Sequence, residues 1–339
     1  NQRAMSEKYA PPPGPPPTWK DSQQQSLQRA DYEPPSGPPP GYQAAADDYA
    51  PPPGPPPSHS EKEQEPPPYD PWLAVPDSSF LPPPPSFQDD RSPTANATAD
   101  DAERGHAWCA KNPLWRPTSQ PPQTLQRIAN GDLRLTTPPR TKNVASYEPG
   151  FGRTHVKTTA ACGDTIFLSD LPVYTATTHS PTTIYYELKV LSMGHISRTG
   201  EADAGIALGF LAPPYPSWRL PGWHRASLAV HGDDGRRYVN NTLGGKDFTQ
   251  AFRKGDVVGI GMTFSPPVYQ GGTPRVDVFF TRNGKRDGAW DLHEERDRDA
   301  TEGNVYGLEG KHDLLAAVGC FGAVEFEVRF RKQDWLFKL

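Results

Sequence analysis

Cysteine is scarce in this chain. Cys109, Cys162 and Cys320 are widely spaced and odd in number. That excludes a disulfide framework, fits no metal-ligand spacing, and makes a reducing compartment the simplest setting. Long apolar runs are missing too. The longest uncharged one, AGIALGFLA from Ala204 to Ala212, falls far short of the roughly 20 residues that cross a bilayer. No membrane span is therefore expected. The chain starts with Asn rather than Met, so it reads as a fragment, and an upstream anchor, lipidation site or signal would lie outside it.

Catalytic signatures are also lacking. There is no phosphate-binding glycine loop, no GxSxG elbow and no HExxH. The net charge of -5 conceals a split: residues 1 to 104 carry 16 acidic and 7 basic side chains, the remainder 24 and 28. Neither part is basic enough for a nucleic-acid footprint. Val, Ile, Leu and Phe are rare in the first 104 positions, which hold 27 of the 43 prolines. Such a segment buries too little apolar surface to offset the cost of ordering its backbone, so it is expected to be a long disordered proline-rich arm.

What the arm does contain is repetition. YAPPPGPPPT (Tyr9 to Thr18) returns as YAPPPGPPPS (Tyr49 to Ser58), with a degenerate copy at Asp31 to Tyr42. Proline runs adopt polyproline II, which serves either as a semi-rigid spacer or as a ligand for aromatic grooves.

Beyond the arm, Trp108, Trp115 and a short Leu125–Ile128 segment mark a transitional region. After Ala145 the pattern becomes short strands punctuated by Gly, Pro and Asp. YYELKVL places Tyr186, Leu188 and Val190 on one face. VEFEVRFR places Val324, Phe326, Val328 and Phe330 on one face and Glu325, Glu327, Arg329 and Arg331 on the other. Asn283-Gly284 and Asp234-Gly235 read as hairpin turns. Hardly any segment has helical length and period, so the fold class is all-β, an antiparallel β-sandwich.

Six ordered blocks sharpen this. They are YYELKV (Tyr185 to Val190), AGIALGF (Ala204 to Phe210), LPGWHRASLAVHGDDGRRY (Leu220 to Tyr238), KGDVVGIGM (Lys254 to Met262), VDVFFTRNGK (Val276 to Lys285) and AAVGCFGAVEFEVRF (Ala316 to Phe330). Together they resemble the SPRY domain. The segment PPYPSWRLPGW, Pro213 to Trp223, resembles fungal SPRY adaptors that bring HECT-type ubiquitin ligases to membrane cargo at endosomes and the vacuole. Those adaptors pair the domain with PPxY motifs bound by the ligase's WW domains. This chain departs from them in showing no transmembrane helix and in carrying its proline-rich arm ahead of the domain.

The resemblance gives the arm a reading. A WW groove takes two prolines already held in polyproline II, and a tyrosine two positions on packs in a neighbouring slot. Pro66, Pro67 and Tyr69 fit, as do Pro39, Pro40 and Tyr42. A third match, Pro266, Pro267, Val268 and Tyr269, falls between strands and reads as structural. SPRY domains bind partners through loops at one end of the sandwich, which points to Tyr215, Trp218, Arg219, Trp223 and Arg225, residue types that dominate interfaces. Trp223 reads equally as a core residue. HGDDG, His231 to Gly235, suits a turn better than a metal site. His224 and His231 read as packing or surface residues, and Cys320 as a core residue following a strand. The acidic run Asp291 to Gly303 reads as a solvated insert.

The expected layout is an arm over 1–104, a transitional region with flanking strands over 105–181, a SPRY core over 182–332 and a tail over 333–339. The expected function is a non-catalytic adaptor. A WW-containing ubiquitin ligase and an unidentified protein cargo are its partners, without nucleic acid, cofactor or metal. Its expected place is the cytoplasm, at the surface of endosome or vacuole membranes. The rival is a scaffold whose proline blocks serve SH3 domains or profilin in actin or signalling assemblies; an enzyme hidden in the sandwich would require a pocket of convergent titratable groups.

Overall fold

The computed structural model describes residues 91–95, 97–138, 143–177, 183–266, 274–294 and 303–339. The WW-ligand candidates Pro39, Pro40, Tyr42, Pro66, Pro67 and Tyr69, and the PPVY motif apart from Pro266, lie outside the described residues. Two helices come first, α1 (Ala99–Lys111) and α2 (Pro122–Asn130). Strands follow as β1 (Leu135–Thr136), β2 (Val144–Gly150), β3 (Arg153–Thr158), β4 (Thr165–Ser169) and β5 (Thr183–Ser192). Next are β6 (Gly205–Leu211), β7 (Ser227–His231), β8 (Arg237–Val239) and β9 (Val257–Ser265). The last four are β10 (Arg275–Arg282), β11 (Lys285–Asp291), β12 (Leu315–Phe321) and β13 (Glu325–Arg329).

The strands form two antiparallel sheets, in the orders β1-β4-β12-β6-β7-β8 and β11-β10-β9-β5-β13-β3-β2. The alternating faces read from the sequence meet between them. Tyr186, Leu188 and Val190 of β5 and Phe326 and Val328 of β13 share one buried cluster with Leu208, Phe210 and Val318 of the opposite sheet. Tyr186 also bridges the layers. Its hydroxyl lies 2.8 Å from the Gly209 carbonyl and accepts the Gly209 N–H at 3.0 Å, so a phenol is buried without an orphaned oxygen. Asn283 and Gly284, with φ of 50° and 77°, close β10 onto β11 as the type I′ reading expects.

Five expectations need correction. The span given to the arm overlaps α1, whose Thr98 cap accepts the Asp101 N–H at 3.2 Å while Asp100 and Asp101 face the positive helix end. Helix-length segments are therefore present, α2 starting on Pro122 and stopping at left-handed Gly131. The division at 181/182 cuts both sheets, because β4 pairs with β12 and β3 with β13. Asp234 is not a positive-φ residue, and β7 and β8 are joined by a longer loop than a two-residue turn. Cys320 lies within β12 rather than after it, fully buried in the main cluster.

The outer face of β5 is covered as well. Glu187 is buried, and its carboxylate accepts the backbone N–H groups of Leu336 and Phe337, each at 2.8 Å, and the Tyr185 hydroxyl at 2.9 Å. Trp335 sets its ring edge-on to Tyr185 at 4.8 Å. The C-terminal segment is thus clamped across the sheet by one acidic side chain. Replacing Glu187 by Gln turns an acceptor into a donor facing a donor, so denaturant unfolding should show a loss of about 1–3 kcal/mol. Hydrogen exchange at Leu336 and Phe337 should quicken. Unchanged stability would show that the clamp contributes nothing.

Candidate functional site

The chain between β6 and β7, Ala212 to Ala226, contains four prolines that prevent it from continuing the sheet. It folds back on itself through buried polar contacts. The Tyr215 hydroxyl donates to the Leu220 carbonyl at 2.6 Å and accepts the His224 N–H at 3.1 Å. Burial raises its pKa, so it stays a neutral phenol.

Arg219 also turns inward and is only 1% exposed. Its Nε–H donates to His224 Nε2 at 2.9 Å, and its guanidinium lies 4.2 Å from the centre of the Trp223 ring. Accepting at Nε2 requires a neutral imidazole with its proton on Nδ1. Burial, reinforced by the Arg219 charge, holds the His224 pKa down to about 3. The Nη1 of Arg219 has no hydrogen-bond partner. It lines a cavity of about 140 Å³ together with Asp164, Leu220, Trp223, Tyr238 and Phe321. Asp164 is pushed up to about 6, chiefly by burial and against the pull of Arg219.

The HGDDG segment forms one wall. Asp234 accepts from the Tyr238 hydroxyl and the Arg236 N–H, each at 2.8 Å, and His231 Nε2 donates to the Pro221 carbonyl at 2.9 Å. Burial, then the neighbouring Asp234 charge, raises the pKa of Asp233. Among the described residues, no group of three or more His, Cys, Asp or Glu is placed to hold a metal ion.

Helix α1 lies over the loop. Gly105 faces His224 so closely that a β-carbon there would fall 2.2 Å from Nε2, which makes glycine necessary in mid-helix. His106 meets His224 edge-on at 4.6 Å, and Trp108 meets Trp218 edge-on at 6.3 Å. Arg225 donates to the carbonyls of Cys109, Asn112 and Pro214, closing the C-terminal end of the helix. Beside this contact Trp108, Trp115, Pro213, Pro214, Trp218 and Leu315 line an apolar groove of about 340 Å³, with Trp115 63% exposed.

The five loop residues expected to form one recognition surface therefore divide. Tyr215, Arg219 and Trp223 are buried and build the loop from within. Arg225 is committed to helix carbonyls, and Trp218 borders the open groove. Asp164 and Gly105 are partners that sequence reasoning missed, and Trp108, read only as part of a transitional region, packs on Trp218. The Thr98–Asp101 cap was the available signal for the helix that carries Gly105 and Trp108.

No protein-family model matches the chain. It is 33% identical to the protein ssh4 of Sclerotinia sclerotiorum over 133 residues, 39% of this chain and 20% of the relative. Against the ssh4 protein of Aspergillus fumigatus identity is 41% over 132 residues, 39% of this chain and 21% of the relative. A SPRY domain-containing protein of Schizosaccharomyces pombe is 34% identical over 102 residues, 30% of this chain and 22% of its own. The chain thus covers about a fifth of the length of the curated relatives it matches. A crystal structure of a human SPRY domain aligns over 56% of this chain and 98% of its own, at 20% identity and a TM-score of 0.37. Over the matched residues the chain is similar to a SPRY domain-containing protein and to the fungal ssh4 proteins.

The neutral His224 has a consequence for stability. As pH falls, the unfolded chain protonates this residue near its ordinary value of 6.5, whereas the folded chain resists down to about 3. The stability it contributes is complete above 6.5 and is lost as the pH falls between those values. His224→Gln keeps an acceptor for Arg219 but cannot titrate. Wild-type unfolding free energy should therefore fall more steeply than the variant's between pH 6.5 and 4, by up to about 1.4 kcal/mol per pH unit. Parallel profiles would contradict the assignment.

Proposed function

We propose that the chain is a non-catalytic adaptor. Its SPRY-type domain holds a protein partner at the loop end that Tyr215, Trp218, Arg219, Trp223 and Arg225 organise. Its PPxY segments recruit a WW-containing HECT-type ubiquitin ligase, leading to ubiquitin-dependent sorting or degradation of membrane proteins at endosome or vacuole membranes.

The observation that carries the partner-binding half is the apolar groove beside the loop, where Trp115 stands exposed next to Trp218 and two prolines. A cluster of indole rings at the surface of a packed domain is the composition of an interface centre. The ligase half rests on PPPY at residues 66–69 and PPGY at 39–42, two sites whose pairing raises avidity by effective concentration. Among the described residues no helix is long and apolar enough to cross a membrane.

A second reading has support in the repeated PPPGPPP blocks, which suit SH3 domains or profilin. The tyrosine separates the two. A peptide of residues 55–80 should bind isolated WW domains with micromolar affinity, and Tyr69→Ala should weaken it by about tenfold or more. Binding confined to SH3 domains, and unaffected by Tyr69→Ala, would favour the scaffold and remove the ligase link.

A further inference from the structure

We propose that Ser92 is a phosphorylation site for a proline-directed protein kinase, and that a phosphoryl group there detaches the strap Arg91–Ala95 from the loop end. The structural claim stands alone; its consequence for partner access rests on the loop end being the recognition face.

The strap is held mainly by side chains against an acidic wall. Ser92 Oγ donates to Asp234 Oδ2 at 2.8 Å, and Thr94 Oγ1 donates to Asp233 Oδ2 at 2.6 Å. The Thr94 carbonyl accepts the Ala202 N–H at 2.9 Å, and the Arg91 carbonyl accepts from Arg236 Nη1 at 3.0 Å. Ser92 and Ala95 line the cavity that Arg219 and Trp223 border, and Ala97 packs on the cluster of Leu220, Trp223 and Tyr238. The strap thus occupies the cavity's rim.

Ser92 precedes Pro93, the dipeptide that proline-directed kinases use. It is buried, so transfer takes place while the strap is off its seat. The strap belongs to neither sheet, so it can open without breaking a strand pairing. Ser92 Oγ attacks the γ-phosphorus of ATP; the O–P bond forms as the β–γ bridging bond breaks, ADP leaves, and the hydroxyl proton passes to the kinase's carboxylate base.

Reseating then fails for two reasons. The donor to Asp234 is gone, and a group carrying nearly two negative charges must face the Asp233 and Asp234 carboxylates at contact distance. Burial already disfavours the charge on Asp233. Cations near the seat include Arg91 of the strap itself, Arg236, engaged with Asp247 at 2.9 Å and the Gly244 carbonyl at 3.1 Å, and Arg219, which lines the same cavity with its Nη1 unpaired.

The full chain would be treated with a MAP-kinase-class enzyme and MgATP, the site mapped by mass spectrometry, and hydrogen exchange followed at Ala202. Phosphorylation should speed exchange there by about tenfold or more, since charges this close interact by more than 1 kcal/mol. Ser92→Ala treated alike should show no change, and Asp234→Asn should show a smaller one. Phosphate on Ser92 with unchanged exchange would overturn the proposal. So would slower exchange, which would mean capture by Arg219 or Arg236. Phosphate accepted by a peptide of residues 85–99 but never by the folded chain would overturn it as well. No partner enters this readout, so a loop end that binds nothing would sink the adaptor reading while leaving the strap result intact.

Discussion

A buried guanidinium governs the loop end of this sandwich. Arg219 lies inside the molecule with its Nε–H committed to His224 and its plane over Trp223. Burying such a charge is costly unless the surroundings answer it. The answers come from an imidazole kept neutral, an indole face, and Asp164 on the same cavity. Each constrains something further. The neutral His224 admits helix α1 only where Gly105 leaves room, and that helix carries Trp108 to Trp218. One residue's burial thereby sets the groove on the outside of the loop.

The two sheets supply the rigid base for this arrangement. Tyr186 ties one layer to the backbone of the other, and Glu187, its neighbour on the opposite face, ties the C-terminal segment across the outside. Because both sheets are pinned, the loop between β6 and β7 can carry four prolines and a buried charge without fraying the strands it joins. The buried polar network of Tyr215, Arg219 and His224 sits on this scaffold rather than within it.

The strands were legible because their period is simple. Alternation in VEFEVRFR and YYELKVL gave faces that the core confirms residue by residue, and Asn283-Gly284 gave its turn. The ordered motif blocks gave the domain type. What stayed hidden is tertiary. Tyr215 and Arg219 look like interface residues by type, and nothing local in YPSWRLPGWHR says that a histidine five positions on will take the guanidinium inward. Helix α1 was obscured by its mid-helix glycine and by its position at the end of a proline-rich segment. The burial of Glu187 depends on a partner near residue 336, a separation no local pattern carries. For Ser92 and Thr94, the carboxylates that hold them lie on a strand-connecting loop far along the chain.

The central claim is the Arg219-to-His224 hydrogen bond, and nuclear magnetic resonance can observe it. In protein labelled with ¹⁵N, a nitrogen–nitrogen coupling should appear between Arg219 Nε and His224 Nε2. The His224 ring should show an unprotonated Nε2 throughout pH 5 to 7. A His224 imidazolium titrating near pH 6.5, with no coupling to Arg219, would contradict the account and release the guanidinium to the surface.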